Sequence, residues 1–386
     1  MIKKKTLLLV IALAAVSGAG YAQEESNVAV YGRLNVGMVN YAGYGDGRGT
    51  VTQQNNLASR LGFRGQEYLG NGLRAIFVIE TGFSPDTGAG ALGSRETTVG
   101  LQGDFGKVRF GYMLNALDDL HAIAGPGYQT NVTNDNLNGF WANGYGNTFT
   151  GSTSSNPGSD GCKQVAGNAG NTNSFAFDNR YGNSIRYDSP SINGVNVATH
   201  LSLGEVAGCN PFAWSTKLQY QQNDVNIALA YNLHHNLRGQ GLNDHIVMLA
   251  AGYNINPQAY IGAYYQTLQY DNPGRSNLKQ NGFGLVGRVY FGPGRVELGW
   301  YHAGKGQGNQ TPVFSGIYVG DGTQANLFVL GYRYALSKRV DLWSQVAQLR
   351  NGSNSAYDIG GARNAGSPGT LAHNPRAITV GIKYDF

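Results

Sequence analysis

Near its start the chain reads "NVAVYGRLNVGMV", and the character of the side chain changes at almost every step. Val30, Leu34, Val36 and Met38 fall on one side, and Tyr31, Arg33 and Asn35 on the other. A two-residue period belongs to a strand, where successive side chains point to opposite faces. The pattern persists to the end of the chain. "SRLGFRGQ" sets Leu61 and Phe63 against Arg60, Arg64 and Gln66. "LRAIFVIETGF" sets Leu73, Ala75, Phe77 and Ile79 against Arg74 and Glu80. "KVRFGY" sets Val108 and Phe110 against Lys107 and Arg109. "VNIALAYNL" sets Val225, Ile227, Leu229, Tyr231 and Leu233 against Asn226, Asn232 and small residues. One face is thus apolar throughout. The other carries Arg33, Arg60, Arg64, Arg74, Arg109, Arg186, Arg288 and Arg333. A sandwich, β-helix or propeller would have to bury these faces in a dry core, where so many guanidiniums are costly. A barrel that is apolar outside and watered inside accommodates both faces.

The connections alternate in length. "YLGNG", "GDFG", "DSPS", "NINP", "GPG" and "ALSKR" are tight turns. Between them run long polar stretches such as "GRGTVTQQNN" and "NGSNSAYDIGGARNAGSPGTLAHN". Short turns at one end and long loops at the other fit an outer-membrane barrel. The count predicts 16 antiparallel transmembrane strands and eight long loops, with both termini at the short-turn end. The chain stops on "AITVGIKYDF", in mid-alternation. An open edge in lipid leaves N–H and C=O groups unsatisfied at several kcal/mol each. The last strand is therefore expected to pair with the first, with Tyr384 and Phe386 in an interfacial aromatic girdle.

The first residues fit export. Lys3, Lys4 and Lys5 precede the apolar run "TLLLVIALAAV", and small residues with "GYA" follow. This is the order of a secretory signal peptide, residues 1–22, cut after Ala22. The apolar run is short for a membrane anchor. Without the leader, 28 Lys plus Arg less 3 leaves 25 against 23 Asp plus Glu, a net charge of about +2. No basic run or recognition motif points to nucleic acid. Glycine, at 58 of 386 residues, is about twice as frequent as usual. After the leader no apolar run of 18 residues occurs, so no transmembrane helix is expected.

Five segments in order are similar to one family. "VAVYGRLNVG", "SRLGFRGQEYLGNGLRAIFVIETGF", "NSIRYDSPSINGV", "YALSKRVDL" and "VGIKYDF" resemble the general porins of Neisseria and its beta-proteobacterial relatives. The resemblance implies a 16-stranded barrel over residues 23–386, assembled as a homotrimer among outer-membrane lipids and lipopolysaccharide. It implies a diffusion channel for small hydrophilic solutes and ions, with the third loop, about residues 114–182, folded into the lumen. It also implies that the terminal strand ending at Phe386 is read by the outer-membrane assembly machinery. Arg60, Glu80 and Arg95 stand at the family's constriction-lining positions, and Arg180 is a looser match. Arg95 shares parity with Val99 and Leu101, which puts it at a loop-to-strand junction.

The third loop is longer than the family usually carries and includes "TFTGSTSSNPGSDGCKQVAGNAGNTNS". Asp118 and Asp119 precede this insertion. They are the acidic candidates for the loop side of the constriction, the plain alternative being two solvated carboxylates. Arginines facing loop carboxylates would set up a transverse field across the waist, and their number favours anions. Cys162, in the insertion, and Cys209, in "GEVAGCNPFAW", would both face outward in an oxidising compartment. They are expected to form a disulfide, the alternative being two free thiols.

Other motifs carry less. "GAGALG", Gly88 to Gly93, fits a dinucleotide fingerprint but no helical pattern follows it. His234 and His235 are adjacent, with no other ligand at metal spacing. No catalytic constellation, metal or cofactor is expected. The competing functions are a substrate-selective channel for sugars or organic acids and an outer-membrane hydrolase.

Overall fold

The computed structural model describes residues 27–45, 49–125, 140–142, 149–150, 177–204, 208, 210–237, 240–272, 274–309, 313–314, 317–359 and 370–386. The signal peptide, Cys162 and Cys209 lie outside them.

Sixteen strands form the wall. They are β1 Asn27–Ala42, β2 Arg60–Gly70, β3 Leu73–Ser84, β4 Glu96–Gly103, β5 Gly106–Leu114 and β6 Arg180–Asp188. There follow β7 Val195–Leu203, β8 Phe212–Gln222, β9 Val225–His235, β10 Asn243–Asn256 and β11 Ala259–Tyr270. The last five are β12 Leu278–Phe291, β13 Gly294–Ala303, β14 Ala325–Ala335, β15 Val340–Asn351 and β16 Arg376–Asp385. Each pairs antiparallel with its neighbours in sequence, and β16 returns to β1 from Arg33↔Asp385 to Ala42↔Arg376. The terminal residue completes the seam. Gly32 N–H donates to the Phe386 carbonyl at 3.0 Å, and Phe386 N–H to the Gly32 carbonyl at 3.1 Å. The Phe386 ring covers Gly32, where a Cβ would sit 2.3 Å from its Cζ.

At one end five of the seven turns are two residues long, β6–β7 taking six and β14–β15 four. Asn71–Gly72 and Asn193–Gly194 have positive φ at both positions, the turn geometry that matches the twist of paired strands. The other end carries the long connections. β2 alone falls short of the upper half of β1. There a short strand, Val51–Asn56, pairs with Val36 to Tyr41 in its place. Asn35 fills the break between them. Its N–H donates to Ser59 Oγ, its Nδ2 to the Leu57 carbonyl, and its Oδ1 accepts from Trp343 Nε1.

The two faces differ as their side chains require. Leu34, Met38, Leu229, Leu298, Leu330 and Val380 are among the large apolar residues left exposed on the outer face, as in a wall whose solvent there is lipid. The inner face divides into two sectors. Cationic side chains crowd β1–β8 and the short-turn end of β12–β16. On β9–β16 and the far end of β1, nearer the long loops, small and apolar residues such as Ala228, Ala230, Ile246, Met248, Leu268 and Leu327 form a dry cluster instead. Described parts of the β5–β6 connection fill that cluster. Leu117 precedes and Leu120 ends a 3-10 turn, Asp118–Leu120, and Ile123 and Ala124 end a single helical turn, α1, His121–Ala124. Phe140, Trp141, Ala142 and Phe177 join them.

Candidate pore-lining site

Three strands and the residue before β4 build the first cluster. Glu80 on β3 lies opposite Gly62 on β2. The missing side chain at Gly62 lets the Tyr31 ring cross it, since a Cβ there would meet Tyr31 Cζ at 2.4 Å. Tyr31 O–H then donates to Glu80 Oε2 at 3.1 Å. Arg95, immediately before β4, donates from Nε to Glu80 Oε1 at 2.7 Å, and Arg60 Nε stands 3.6 Å from Oε2. The Arg95 stem lies beside Gly82. Two guanidiniums therefore share one carboxylate. Arg64 lies 5.0 Å over the Tyr31 ring, held by the ring's negative face.

A second cluster crosses β4 to β8. Arg109 bonds Glu96 at 2.8 Å and Asp188 at 3.0 Å. Arg186 bonds Asp188 and Asp119, each at 2.7 Å, and Lys217 bonds the same Asp119 oxygen at 2.7 Å. Lys107 reaches Asp188 at 3.9 Å. Asp119 belongs to the β5–β6 connection, so this network holds the connection to the wall. A third cluster joins Arg33 to Asp385 at 2.6 Å, Lys383 to Asp385 and Asp341 at 2.8 Å each, and Arg333 to Asp341. In a fourth, Arg295 bonds Glu297 at 2.5 Å and Arg288 stands 4.0 Å from it, stacked 4.4 Å over the Tyr260 ring.

Tyr260 in turn donates to the Ile123 carbonyl at 2.7 Å, and Leu117 N–H donates to Ser215 Oγ on β8. The backbone of α1 passes so near β11 that a Cβ at Gly262 would lie 2.6 Å from the Ile123 carbonyl oxygen. Ala142 N–H and the Phe140 carbonyl bond Gln266 on the same strand. Beside α1, Ala122, Asn226, Asn254, Tyr260 and Arg288 border a cleft of about 170 Å³.

The residues singled out in the sequence thus fall into several groups. Arg60, Glu80 and Arg95 come together. Arg33, Arg109, Arg186, Arg288 and Arg333 point inward from their strands in the other three clusters. Arg74 lies on β3 near the short turn, opposite Tyr68. Asp119 is paired to the wall. Arg180 is buried at the start of β6, close enough to act on Asp118 and Asp178. Asp118 pairs with His121 at 3.4 Å. His121 and Asp178 were not singled out in the sequence. Their signal is the Asp118–His121 spacing of three on a helical turn, whereas Asp178 stands 60 positions from Asp118.

Comparison with known proteins decides the family. The chain matches the Gram-negative porin family over residues 9–354. It belongs to the Gram-negative porins. This porin is 25% identical to a major outer membrane protein P.IB of Neisseria meningitidis, over 94% of this chain and 98% of that one. It is 28% identical to outer membrane porin protein 32 of Delftia acidovorans, over 99% and 100%. An anion-selective porin from Comamonas acidovorans shares the fold with a TM-score of 0.71 and 22% identity, covering 94% of this chain and all of that one. The OmpT of Vibrio cholerae, solved in a trimer form, aligns with a TM-score of 0.60 over 94% and 100%. This porin is a diffusion channel of the outer membrane, and its family is one of channels rather than enzymes.

Proposed function

We propose that this porin is a homotrimeric channel for small hydrophilic solutes and ions, narrowed by its third loop and selective for anions. The observation that carries the selectivity is a charge count. Each of the four wall clusters has one more base than acid. Arg60 and Arg95 share Glu80, and Arg288 and Arg295 share Glu297. Arg33, Arg333 and Lys383 meet two acids, Asp341 and Asp385. Lys107, Arg109, Arg186 and Lys217 meet three, Glu96, Asp119 and Asp188. Arginine stays charged at any working pH, and low-dielectric walls focus the field of the excess. Asp119 is paired to Arg186 and Lys217, which leaves it little charge to set against Arg60 and Arg95.

Likeness to the anion-selective Comamonas porin supports the anion preference, and likeness to the trimeric form of the Vibrio OmpT supports the trimer. The exposed outer face suits lipid and lipopolysaccharide. Tyr384 and Phe386, adjacent at 6.0 Å on the closing strand, suit recognition by the assembly machinery. Cleavage after Ala22 and a Cys162–Cys209 disulfide complete the reading. N-terminal sequencing and mass spectrometry of a non-reduced digest test these two.

The decisive test is the reversal potential of single channels in a salt gradient. Wild-type channels should read as anion-selective. The Arg60→Gln, Arg95→Gln double variant should lower the anion-to-cation permeability ratio by about twofold or more. An unchanged ratio would remove these side chains from the waist.

A further inference from the structure

Asp118 and His121 stand one turn apart where the β5–β6 connection begins, and Asp178 stands where it ends. The fold brings the three together. His121 Nδ1 lies 3.4 Å from Asp118 Oδ1, and His121 Nε2 lies 3.3 Å from Asp178 Oδ2. One potential ligand atom from each residue lies within 4.8 Å of the other two. Asp178 is fully buried, and neither of its carboxylate oxygens accepts a hydrogen bond. A carboxylate placed so is costly without a cation or a proton.

We propose that Asp118, His121 and Asp178 form a binding site for a divalent first-row transition ion, with Zn²⁺ as its probe. The chemistry of the donors selects the class. Carboxylates alone would suit Mg²⁺ or Ca²⁺, but an imidazole among three ligands favours zinc and its neighbours. Three protein ligands leave a tetrahedral ion one open position, which water takes. Bonds of about 2.0–2.1 Å place ligand atoms roughly 3.3 Å apart, so the ion draws the three side chains inward. Trp141 covers the imidazole, its ring centroid 4.3 Å from that of His121.

Neighbouring charge is mixed. Arg180 acts on both carboxyls and offsets one of their charges. The bound ion would rivet together the two ends of a connection whose strands stop at Leu114 and resume at Arg180.

The test is a Zn²⁺ titration of the folded, chelator-treated full chain in detergent. Titration calorimetry is run beside tryptophan fluorescence. The expected result is one Zn²⁺ per chain, a fluorescence change that Trp141→Phe abolishes, and no displacement by excess Ca²⁺. Asp178→Asn and His121→Gln should each weaken binding by about tenfold or more. The heat-resistant barrel on an unboiled gel reports folding of the variants, and His121→Gln decides if Asp178→Asn does not fold. Absence of saturable binding to the wild type overturns the proposal, as does unchanged affinity in the folded variants.

Discussion

Single positions set how near the third loop comes to the wall. Gly262 is the clearest case, because its missing Cβ is what admits the Ile123 carbonyl. Gly262→Val should force the loop off the wall and raise single-channel conductance, while the barrel, whose ladder uses only the backbone of this residue, stays heat-resistant. Gly287→Ala is the matched control, since no atom lies within 4 Å of a Cβ there, and its conductance should equal that of the wild type. Ala228 and Ala230 teach the same lesson. Their small side chains read in the sequence as part of a watered face. In the structure they are fully buried under the loop. Smallness records both an open space and a close neighbour, and one sequence does not distinguish them. The arginines were legible because no dry core accepts so many unpaired guanidiniums. Which acid each one meets was not, since Arg33 and Asp385 are 352 positions apart.

At the scale of elements, the strands were legible and the seat of the loop was not. A period of two is a local signal, and the tight turns between strands are local too. The docking of α1 depends on β10, β11 and β12, each read in the sequence as one more alternating strand. Asp119 is the polar half of that docking. Asp119→Asn removes a charge from Arg186 and Lys217, which are 7% and 8% exposed. The cost stays below the roughly 3–5 kcal/mol of a fully buried pair, because Asp119 is itself partly open to water. The expected outcome is a looser loop, seen as faster hydrogen exchange over residues 117–124, and a permeability ratio shifted further towards anions.

For the molecule as a whole, closure is the condition of residence in a bilayer. Phe386 supplies both a hydrogen-bonded pair and a ring over Gly32. Phe386→Asp should reduce the yield of heat-resistant barrel on refolding into detergent, where no assembly machinery is present. Deleting Ser353, in the β15–β16 loop, should leave that yield near the wild-type value. Equal yields would mean that the terminal ring acts only as a recognition signal. The two-sector interior has a kinetic consequence. Neighbouring strands pair across short separations, but Leu117 meets Ser215 and Ile123 meets Tyr260 across 98 and 137 residues. The loop's seat therefore does not exist until strands far downstream have paired, and contacts of such separation form late. A wide aperture precedes the narrow one, and a late event of folding sets the size of the pore.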